Sequence, residues 1–312
     1  MRNIVCWRYC LSNGFFPILN IIFSIKRGRS LLKQRIITAL ILAPLVIAGI
    51  FFLPFPAFII AMAAITLVGF WEWTQFVNAS SRINAMILPS VTLGASLTLL
   101  STDPVSLSHP IGIYRAILLI GGLWWLVASA LAISYPKSAE FWSKKPFLKQ
   151  MFGLLTLLPF FWSILMLRAV NYDNNPYHGA CLVLLVCLLV WAADTGAYFS
   201  GKRFGKHKMA PAVSPNKTIE GLIGGACLAI FITWLGAHLL SIEFTSLGQL
   251  FFIAIITVII SVLGDLVESM FKRVSGIKDS GNILPGHGGI LDRIDSLTAA
   301  IPVFALLYLW LI

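Results

Sequence analysis

Charged residues are scarce in this chain. Asp, Glu, Lys and Arg make up 11% of its 312 residues, whereas hydrophobic residues make up 58%. Soluble domains usually carry about 25% charged residues, and the mean hydropathy of +0.89 is strongly apolar. The composition therefore excludes an ordinary soluble domain and predicts a chain whose surroundings are mostly lipid.

Acidic residues and cysteines are also few. The 12 acids are outnumbered by 23 Lys and Arg residues, so the formal net charge is +11. These cations flank apolar segments instead of forming a basic face, which favours anionic lipid headgroups as partners and argues against nucleic acid. The five cysteines have no spacing typical of a disulfide framework or a zinc site. We expect them to behave as small apolar residues.

Apolar segments recur from residue 36 onward, and a transmembrane helix needs about 20 such residues. They predict an all-α, polytopic integral membrane protein with nine helices, at 36–53, 55–76, 86–101, 113–133, 151–167, 179–199, 216–240, 247–270 and 296–312. The apolar run from Phe15 to Ile25 is too short to span, so we expect residues 1–30 to form an interfacial or disordered extension. Residues 31–312 are predicted to form one membrane domain, with N-terminal helices in 31–178 and a catalytic half in 179–312.

The distribution of cations predicts the orientation. With a cytoplasmic N-terminus, nine helices place all of the 23 Lys and Arg residues except Arg115 and Arg168 in cytoplasmic segments. Cytoplasmic loops of membrane proteins are rich in these cations. The sequence therefore predicts that the N-terminus is cytoplasmic.

Acidic residues concentrate in the second half of the chain, within or next to predicted helices. Five of them are predicted to gather at one membrane depth on one side, namely Asp194, Asp265, Glu268, Asp292 and Asp295. A carboxylate inside a membrane costs at least about 2.5–3.5 kcal/mol, so it usually faces a cavity or a partner and marks a functional site. The predicted helix ends put Asp194 and Asp265 roughly 8–9 Å inside the cytoplasmic edge. Among the earlier helices, which have almost no acids, Glu72 near a cytoplasmic end is the exception.

Spacing brings these groups onto common helix faces. Asp265 lies three and four residues before Glu268 and Ser269, and Asp292 lies three before Asp295. Pairing with nearby Lys and Arg would explain a single acid, but five acids at one depth favour a metal site. Carboxylates with no Cys and only one His nearby suit a hard cation, and Mg²⁺ is the natural candidate.

A second candidate site lies at 201–221. Ser214 followed by Pro215 fits a helix N-cap and first helical residue, which would put Lys217 and Thr218 in the first turn. A helix N-terminus with a Lys and hydroxyl groups binds anions. We therefore expect phosphate binding at 214–220, whereas the cations at 202–208 are better explained by the cytoplasmic bias of positive charge.

The third candidate is Gly286-His287-Gly288-Gly289. Consecutive glycines allow positive φ and backbone N–H groups directed at an anion. His287 can donate to a phosphate, act as an acid or base, or hold the loop in place, and the sequence leaves these three roles open. The stretch is not a Walker A loop, because the G-x-x-x-x-G-K-[ST] spacing is absent.

These residues resemble the signature of the phosphatidate cytidylyltransferase family, also called CDP-diacylglycerol synthases, in its bacterial form. The matching positions are Ser269, Lys272, Arg273, Lys278, Asp279, Leu284, Pro285, His287, Gly288, Gly289, Asp292, Arg293 and Asp295. The segment 214–221, Ser-Pro-Asn-Lys-Thr-Ile-Glu-Gly, is similar to a second motif of that family. The resemblance covers 31–312, and residues 1–30 depart from the pattern.

The resemblance implies a helical, homodimeric protein of the bacterial cytoplasmic (inner) membrane with its active site facing the cytoplasm. It implies transfer of the cytidylyl group of CTP to phosphatidate, dependent on Mg²⁺, giving CDP-diacylglycerol and pyrophosphate. The metal-holding acids of the family fall on Asp265 and Asp292. Asp194 either supports that cation or holds a second one, or it pairs with a lysine between helices.

The candidate residues divide into two groups. The expected catalytic residues are Asp265, Asp292, Lys272, Arg273, Lys278 and His287. The expected substrate-binding residues are Ser214, Lys217, Thr218, Glu220, Ser269, Gly288, Gly289, Arg293 and Asp295. Two alternatives stay open: a CTP-dependent transferase or kinase for another membrane lipid, and an ion-coupled transporter, which also uses buried acids.

Overall fold

The computed structural model describes residues 38, 40–77, 79, 81–284 and 288–311. Its elements in chain order are α1 (Leu40–Phe52), α2 (Phe55–Val77), α3 (Arg82–Leu99), α4 (Pro104–Ser108), α5 (Ile113–Ile133), α6 (Ala139–Trp142), α7 (Pro146–Ala169), α8 (His178–Phe204), β1 (Lys208–Ala210), β2 (Ser214–Thr218), α9 (Ile219–Leu239), α10 (Leu247–Ser275) and α11 (Leu291–Leu311). The predicted extension, 1–30, lies outside the described residues. The predicted division at residue 178 stays a prediction.

Seven helices in the described part of the chain are long and apolar enough to cross a membrane, namely α2, α5, α7, α8, α9, α10 and α11. Helix α1 is apolar but shorter. Helix α3 contains Pro89 and several Ser, Thr and Asn residues, and it is less apolar than the seven. The fold is therefore that of a polytopic membrane protein. The predicted count of nine is not confirmed, because the predicted spans 36–53 and 86–101 fall on the two weaker helices.

Three helices continue beyond the apolar segments that predicted them. Helix α8 runs to Phe204 rather than 199, α10 runs to Ser275 rather than 270, and α11 begins at Leu291 rather than 296. In α10 the extra turn is stabilised by a Lys at i+4 from a Glu, an attractive pair on one helix face. Asp194 and Asp265 therefore lie more than one helical turn farther from their helix ends than predicted. We call the end of the bundle where α8 and α10 end and α11 begins the site end.

The prediction of an all-α fold needs one correction, an antiparallel hairpin between α8 and α9. Strand β1 pairs with β2, with Lys208 opposite Thr218 and Ala210 opposite Ser214. Ser214 is therefore a strand residue and not a helix N-cap, so the predicted helical turn at 216–218 is wrong. Pro215 is compatible with β2 because a two-stranded ribbon has open edges, where the missing N–H of proline is tolerated.

The N-cap of α9 is Thr218. Its backbone is extended, with φ −125° and ψ 155°, and its side chain accepts a hydrogen bond from the N–H of Gly221 at 3.1 Å. Thr at an N-cap satisfies one of the free N–H groups of the first turn. The helix therefore begins four residues after the predicted N-cap, Ser214.

Helices α8 and α9 pack with their backbones in direct contact near the site end. A Cβ at Gly196 would lie 2.8 Å from the carbonyl oxygen of Gly224, and a Cβ at Gly225 would lie 2.5 Å from that of Ala193. Side chains at these positions would force the helices apart, as in other membrane helix pairs built on small residues. The close packing holds the hairpin and its Lys217 next to the last turns of α8.

An aromatic cluster packs against the site end. Trp73 of α2, Trp142 of α6 and Phe271 of α10 are at most 3% exposed, and the two Trp rings lie 4.9 and 5.0 Å from the Phe271 ring. The indole of Trp73 also donates to the carbonyl of Lys149 in α7 at 2.8 Å. These contacts fix α2, α7 and α10 relative to one another beside the charged residues of the site.

Candidate active site

A cavity of about 290 Å³ opens at the site end, and every described residue that lines it is charged. The lining residues are Asp194, Asp265, Lys272, Asp279, Asp292, Arg293 and Asp295. Five aspartates thus face two cations, so the cavity has an excess of negative charge. The structure confirms that four of the five predicted acids come together, and it adds Asp279.

The charged face of α10 forms one wall of this cavity. The Oγ of Ser269 donates to Asp265 at 3.3 Å, one turn away, as the spacing predicted. Glu268 is 4% exposed and does not line the cavity. Its carboxylate lies 2.5 Å from the ammonium group of Lys272, which also lies 2.8 Å from Asp292. Lys272 therefore bridges two carboxylates and joins α10 to α11.

Lys217 reaches Asp265 from the hairpin. Its Nζ lies 2.7 Å from the Asp265 Oδ2 atom and donates to the carbonyl of Val262 at 3.2 Å. The side chains of Lys217 and Asp265 are 23% and 30% exposed, so the pair is partly accessible. The two candidate segments, 214–221 and 265–295, thus meet through this ion pair.

Glu220 holds the loop in front of the hairpin. It lies in the first turn of α9 and accepts hydrogen bonds from the backbone N–H groups of Lys206 and His207. The His207 ring nitrogen Nδ1 also lies 2.6 Å from its carboxylate. Glu220 was expected to bind substrate, but its contacts are with the protein. Ser214 is partly buried in β2, and neither residue lines the cavity.

Asp292 organises the loop that precedes α11. Its Oδ1 accepts from Lys272 Nζ at 2.8 Å and its Oδ2 accepts from the N–H of Gly289 at 2.7 Å. The N–H of Ser280 donates to both oxygens, at 3.1 and 2.9 Å. Gly288 has a φ of 82°, and a Cβ there would lie 2.5 Å from Asp292 Oδ2. The glycines at 288 and 289 therefore let the backbone wrap around this carboxylate.

Two of the expected catalytic residues, Arg273 and Lys278, do not line the cavity. Arg273 donates through Nε to the carbonyl of Val213 at 3.1 Å and so tethers the hairpin. Lys278 is exposed on the loop after α10 and does not line the cavity. His287 lies outside the described residues, so its three possible roles stay predictions.

Asp279 and Glu72 were missed as site residues. Asp279 belongs to the signature segment, so its place in the cavity could have been expected from that segment. Glu72 is 1% exposed and accepts hydrogen bonds from Ser280 and from the N–H groups of Ile290 and Leu291. The signal for Glu72 was its position inside an apolar segment, because an acid within a membrane helix usually marks a functional site.

The cavity suits a cation that shares its ligands with a substrate. Within the described ranges, no group of three Asp, Glu, His or Cys side chains is arranged to hold a metal by itself. Mg²⁺ usually takes one or two carboxylates and completes its shell with water and substrate phosphates. The acids among the described lining residues are all aspartates, which supply hard carboxylate oxygens. They therefore fit a Mg²⁺ ion that takes its other ligands from water and substrate phosphates.

Comparison with known sequences places these residues in a family. A sequence model described as the cytidylyltransferase family matches residues 33–311. The chain belongs to this cytidylyltransferase family. The matched range contains all of the cavity residues, the hairpin and Glu72.

Curated cytidylyltransferases resemble the chain over nearly its whole length. A protein from Haemophilus influenzae named phosphatidate cytidylyltransferase is 44% identical over 290 residues, which cover 90% of this chain and 100% of the relative. Proteins of the same name from Pseudomonas aeruginosa and Bacillus subtilis are 44% and 33% identical, with 90% and 87% of this chain and 97% and 95% of the relatives covered. The expected resemblance to a bacterial family is confirmed.

Proposed function

We propose that the chain transfers the cytidylyl group of CTP to phosphatidate and produces CDP-diacylglycerol and pyrophosphate. The observation that carries the proposal is a cavity at one end of a membrane bundle, whose described lining residues are all charged, within a chain of the cytidylyltransferase family. A reaction between a soluble nucleotide and a membrane lipid needs such a site at the membrane surface. The names of the bacterial relatives support this choice of substrates.

The charge of the cavity explains how CTP binds. Five aspartates would repel a triphosphate, so a cation must lie between them. Asp265 and Asp292 are the proposed Mg²⁺ ligands, with Asp194 as a further acid for the same or a second cation. Mg²⁺ would neutralise the phosphates and polarise the reacting phosphorus. Asp194 is suited to this role because it lines the cavity and is accessible.

The cations of the site bind and align the reacting groups. Arg293 and Lys272 line the cavity and are placed to offset charge that develops on the leaving pyrophosphate. Lys217 lies at the junction of hairpin and cavity, where the lipid phosphate would meet the nucleotide. A phosphatidate oxygen attacks the α-phosphorus, and the bond to the β-phosphate oxygen breaks with its electron pair on pyrophosphate. Because the attacking oxygen is already anionic, alignment and charge neutralisation carry the reaction without a strong base.

The proposal includes an orientation and an assembly. The site end faces the cytoplasm of the bacterial inner membrane, because CTP is a cytoplasmic nucleotide and the cation distribution favours this side. Phosphatidate then enters from the inner leaflet. The protein is proposed to act as a homodimer, as the family resemblance implies.

Asp194→Asn tests the function most cleanly, because Asp194 lines the cavity without holding other parts of the protein. We expect the purified variant to lose turnover of labelled CTP by at least about 100-fold, the scale of several kcal/mol of charge stabilisation by a metal. Asp173→Asn, an exposed acid at the opposite end, is the matched control. EDTA should abolish turnover of the unmodified protein, and added Mg²⁺ should restore it.

The same preparation separates the alternatives. Faster cytidylyl transfer to a phosphorylated polyprenol than to phosphatidate would indicate another lipid substrate. Ion uptake into proteoliposomes without pyrophosphate release would indicate a transporter. Full activity of Asp194→Asn with phosphatidate would refute the role of this carboxylate.

A further inference from the structure

Glu72 is a buried acid that lies far in sequence from the other residues of the site. It belongs to α2, is 1% exposed, and does not line the cavity. Within the described residues it forms no ion pair. A buried carboxyl group is costly unless hydrogen bonds satisfy its oxygens, so its partners indicate why it is there.

The partners of Glu72 are backbone N–H groups at the start of α11. Its Oε1 accepts from Ile290 at 3.0 Å, and its Oε2 accepts from Leu291, the first residue of the helix, at 2.7 Å. Helix N-termini have N–H groups without intrahelical partners and carry partial positive charge. Glu72 therefore caps α11 from a different helix, more than 200 positions earlier in the chain.

The same carboxyl group fixes the other end of the loop before α11. The Ser280 hydroxyl donates to Glu72 Oε2 at 3.2 Å, and Gln75, one turn along α2, donates to the Ser280 carbonyl at 2.5 Å. The Ser280 N–H donates to Asp292. Ser280 is 0% exposed, and all three of its polar groups are thus held.

The glycines of the loop leave room for Glu72. A Cβ at Gly289 would lie 2.5 Å from Glu72 Oε2, and a Cβ at Gly281 would collide with Oε1. Glycine at both positions lets the backbone close around the carboxyl group. Asp279 precedes Ser280, and Asp292 and Arg293 follow Leu291, so three cavity residues lie within two positions of residues that donate to Glu72.

We propose that Glu72 is a positioning residue for cytidylyl transfer, which holds the segments 279–281 and 289–291 and thereby aligns Asp279, Asp292 and Arg293 in the cavity. The inference rests on the proposed function for its effect on turnover, whereas the contact itself is independent of it. Small displacements of aligned groups lower the rate of the chemical step more than they weaken binding. Glu72 should therefore affect kcat rather than KM.

The test is Glu72→Gln, which keeps the size of the side chain and replaces one acceptor oxygen with a donor facing backbone N–H groups. We expect kcat with CTP and phosphatidate to fall at least tenfold while the KM for CTP changes less than threefold. Ser280→Ala, which removes one of the three hydrogen bonds, should lower kcat by a smaller factor. Glu140→Gln, an exposed acid on α6, is the matched control and should leave kcat unchanged.

Hydrogen exchange in detergent micelles gives a readout that does not need turnover. In Glu72→Gln the amides of 289–291 should exchange at least tenfold faster, while peptides from α8 and α10 keep their protection. Unchanged exchange at 289–291, or an equal fall in kcat with Glu140→Gln, would overturn the proposal. If Glu72→Gln does not fold, Ser280→Ala decides by the same two measurements. Lack of turnover in the unmodified protein would refute the proposed function but would leave the exchange result to decide on the contact.

Discussion

The ion pair between Lys217 and Asp265 joins the two halves of the site, and its removal makes a quantitative prediction. The atoms Nζ and Oδ2 are 2.7 Å apart, and both side chains are less than one third exposed. Exposed pairs contribute about 0–1 kcal/mol, whereas breaking a buried pair by removing one partner costs about 3–5 kcal/mol. Because this pair is intermediate in burial, Lys217→Met should destabilise the protein by about 1–3 kcal/mol.

The expected effect of Lys217→Met has two parts. The substitution leaves Asp265 without its cation in a cavity that already has an excess of acids, and it removes the donor to the Val262 carbonyl. Asp265→Asn should also destabilise, because Lys217 then loses its counter-charge. The double variant removes both charges and should be no less stable than the worse single variant.

Thermal unfolding in detergent at one fixed scan rate is the measurement, since membrane proteins often unfold irreversibly. A change of 1 kcal/mol shifts Tm by about 2–4 °C in chains of 150–250 residues, and by somewhat less in longer ones. We therefore expect Tm to fall by about 2–6 °C for each single variant. Lys137→Met, an exposed lysine on the same side of the bundle, is the control and should keep its Tm.

A double-mutant cycle on Lys217 and Asp265 measures how much their ion pair contributes to stability. A coupling of about 0.5–3 kcal/mol is expected for residues in direct contact. If the effects of the two single variants simply add in the double variant, the ion pair does not join the hairpin to α10. The two candidate segments would then be held together by other contacts.

Two further predictions concern backbone geometry at the site. Thr218→Ala removes the N-cap of α9 and should cost about 1 kcal/mol, seen as a lower Tm that Thr218→Ser largely restores; an unchanged Tm would contradict the N-cap assignment. Gly288→Ala should lower turnover at least tenfold, because a Cβ there meets Asp292. Gly276→Ala is its control, since Gly276 has a similar φ of 68° but open space around it; equal losses in both would show that backbone strain alone is responsible.

The sequence predicted the features that depend on local pattern. Apolar segments located the long helices, and the i,i+3 and i,i+4 spacing placed Asp265 and Ser269 on one face, because both signals repeat within a few residues along the chain. Helix ends were less predictable. Hydropathy falls at the first charged residues near the end of a helix, whereas the helical hydrogen bonds of α10 continue to Ser275.

Features set by distant contacts could not be derived in this way. Ser214 followed by Pro215 is a valid N-cap signal taken alone, and pairing with Lys208–Ala210 overrides it. Lys272 was expected to be a catalytic residue, and no local pattern indicated that its ammonium group also bridges two carboxylates. Glu72 is recognisable as unusual, yet its role depends on a loop more than 200 residues away, and no local pattern contains that information.

The contact between Glu72 and α11 has a consequence for how the protein is made. The two partners are separated by 218 positions, and chains grow at about 5–20 residues per second. Synthesis of Glu72 therefore precedes synthesis of the residues whose N–H groups donate to it by on the order of 10–40 s. During that interval the carboxyl group of Glu72 lacks its hydrogen-bond donors from the loop before α11. A polar environment for this end of α2, at the membrane surface or against the insertion machinery, is therefore favoured. The site is assembled only when the last described helix arrives, so a nascent chain that lacks α11 has no preformed catalytic cavity.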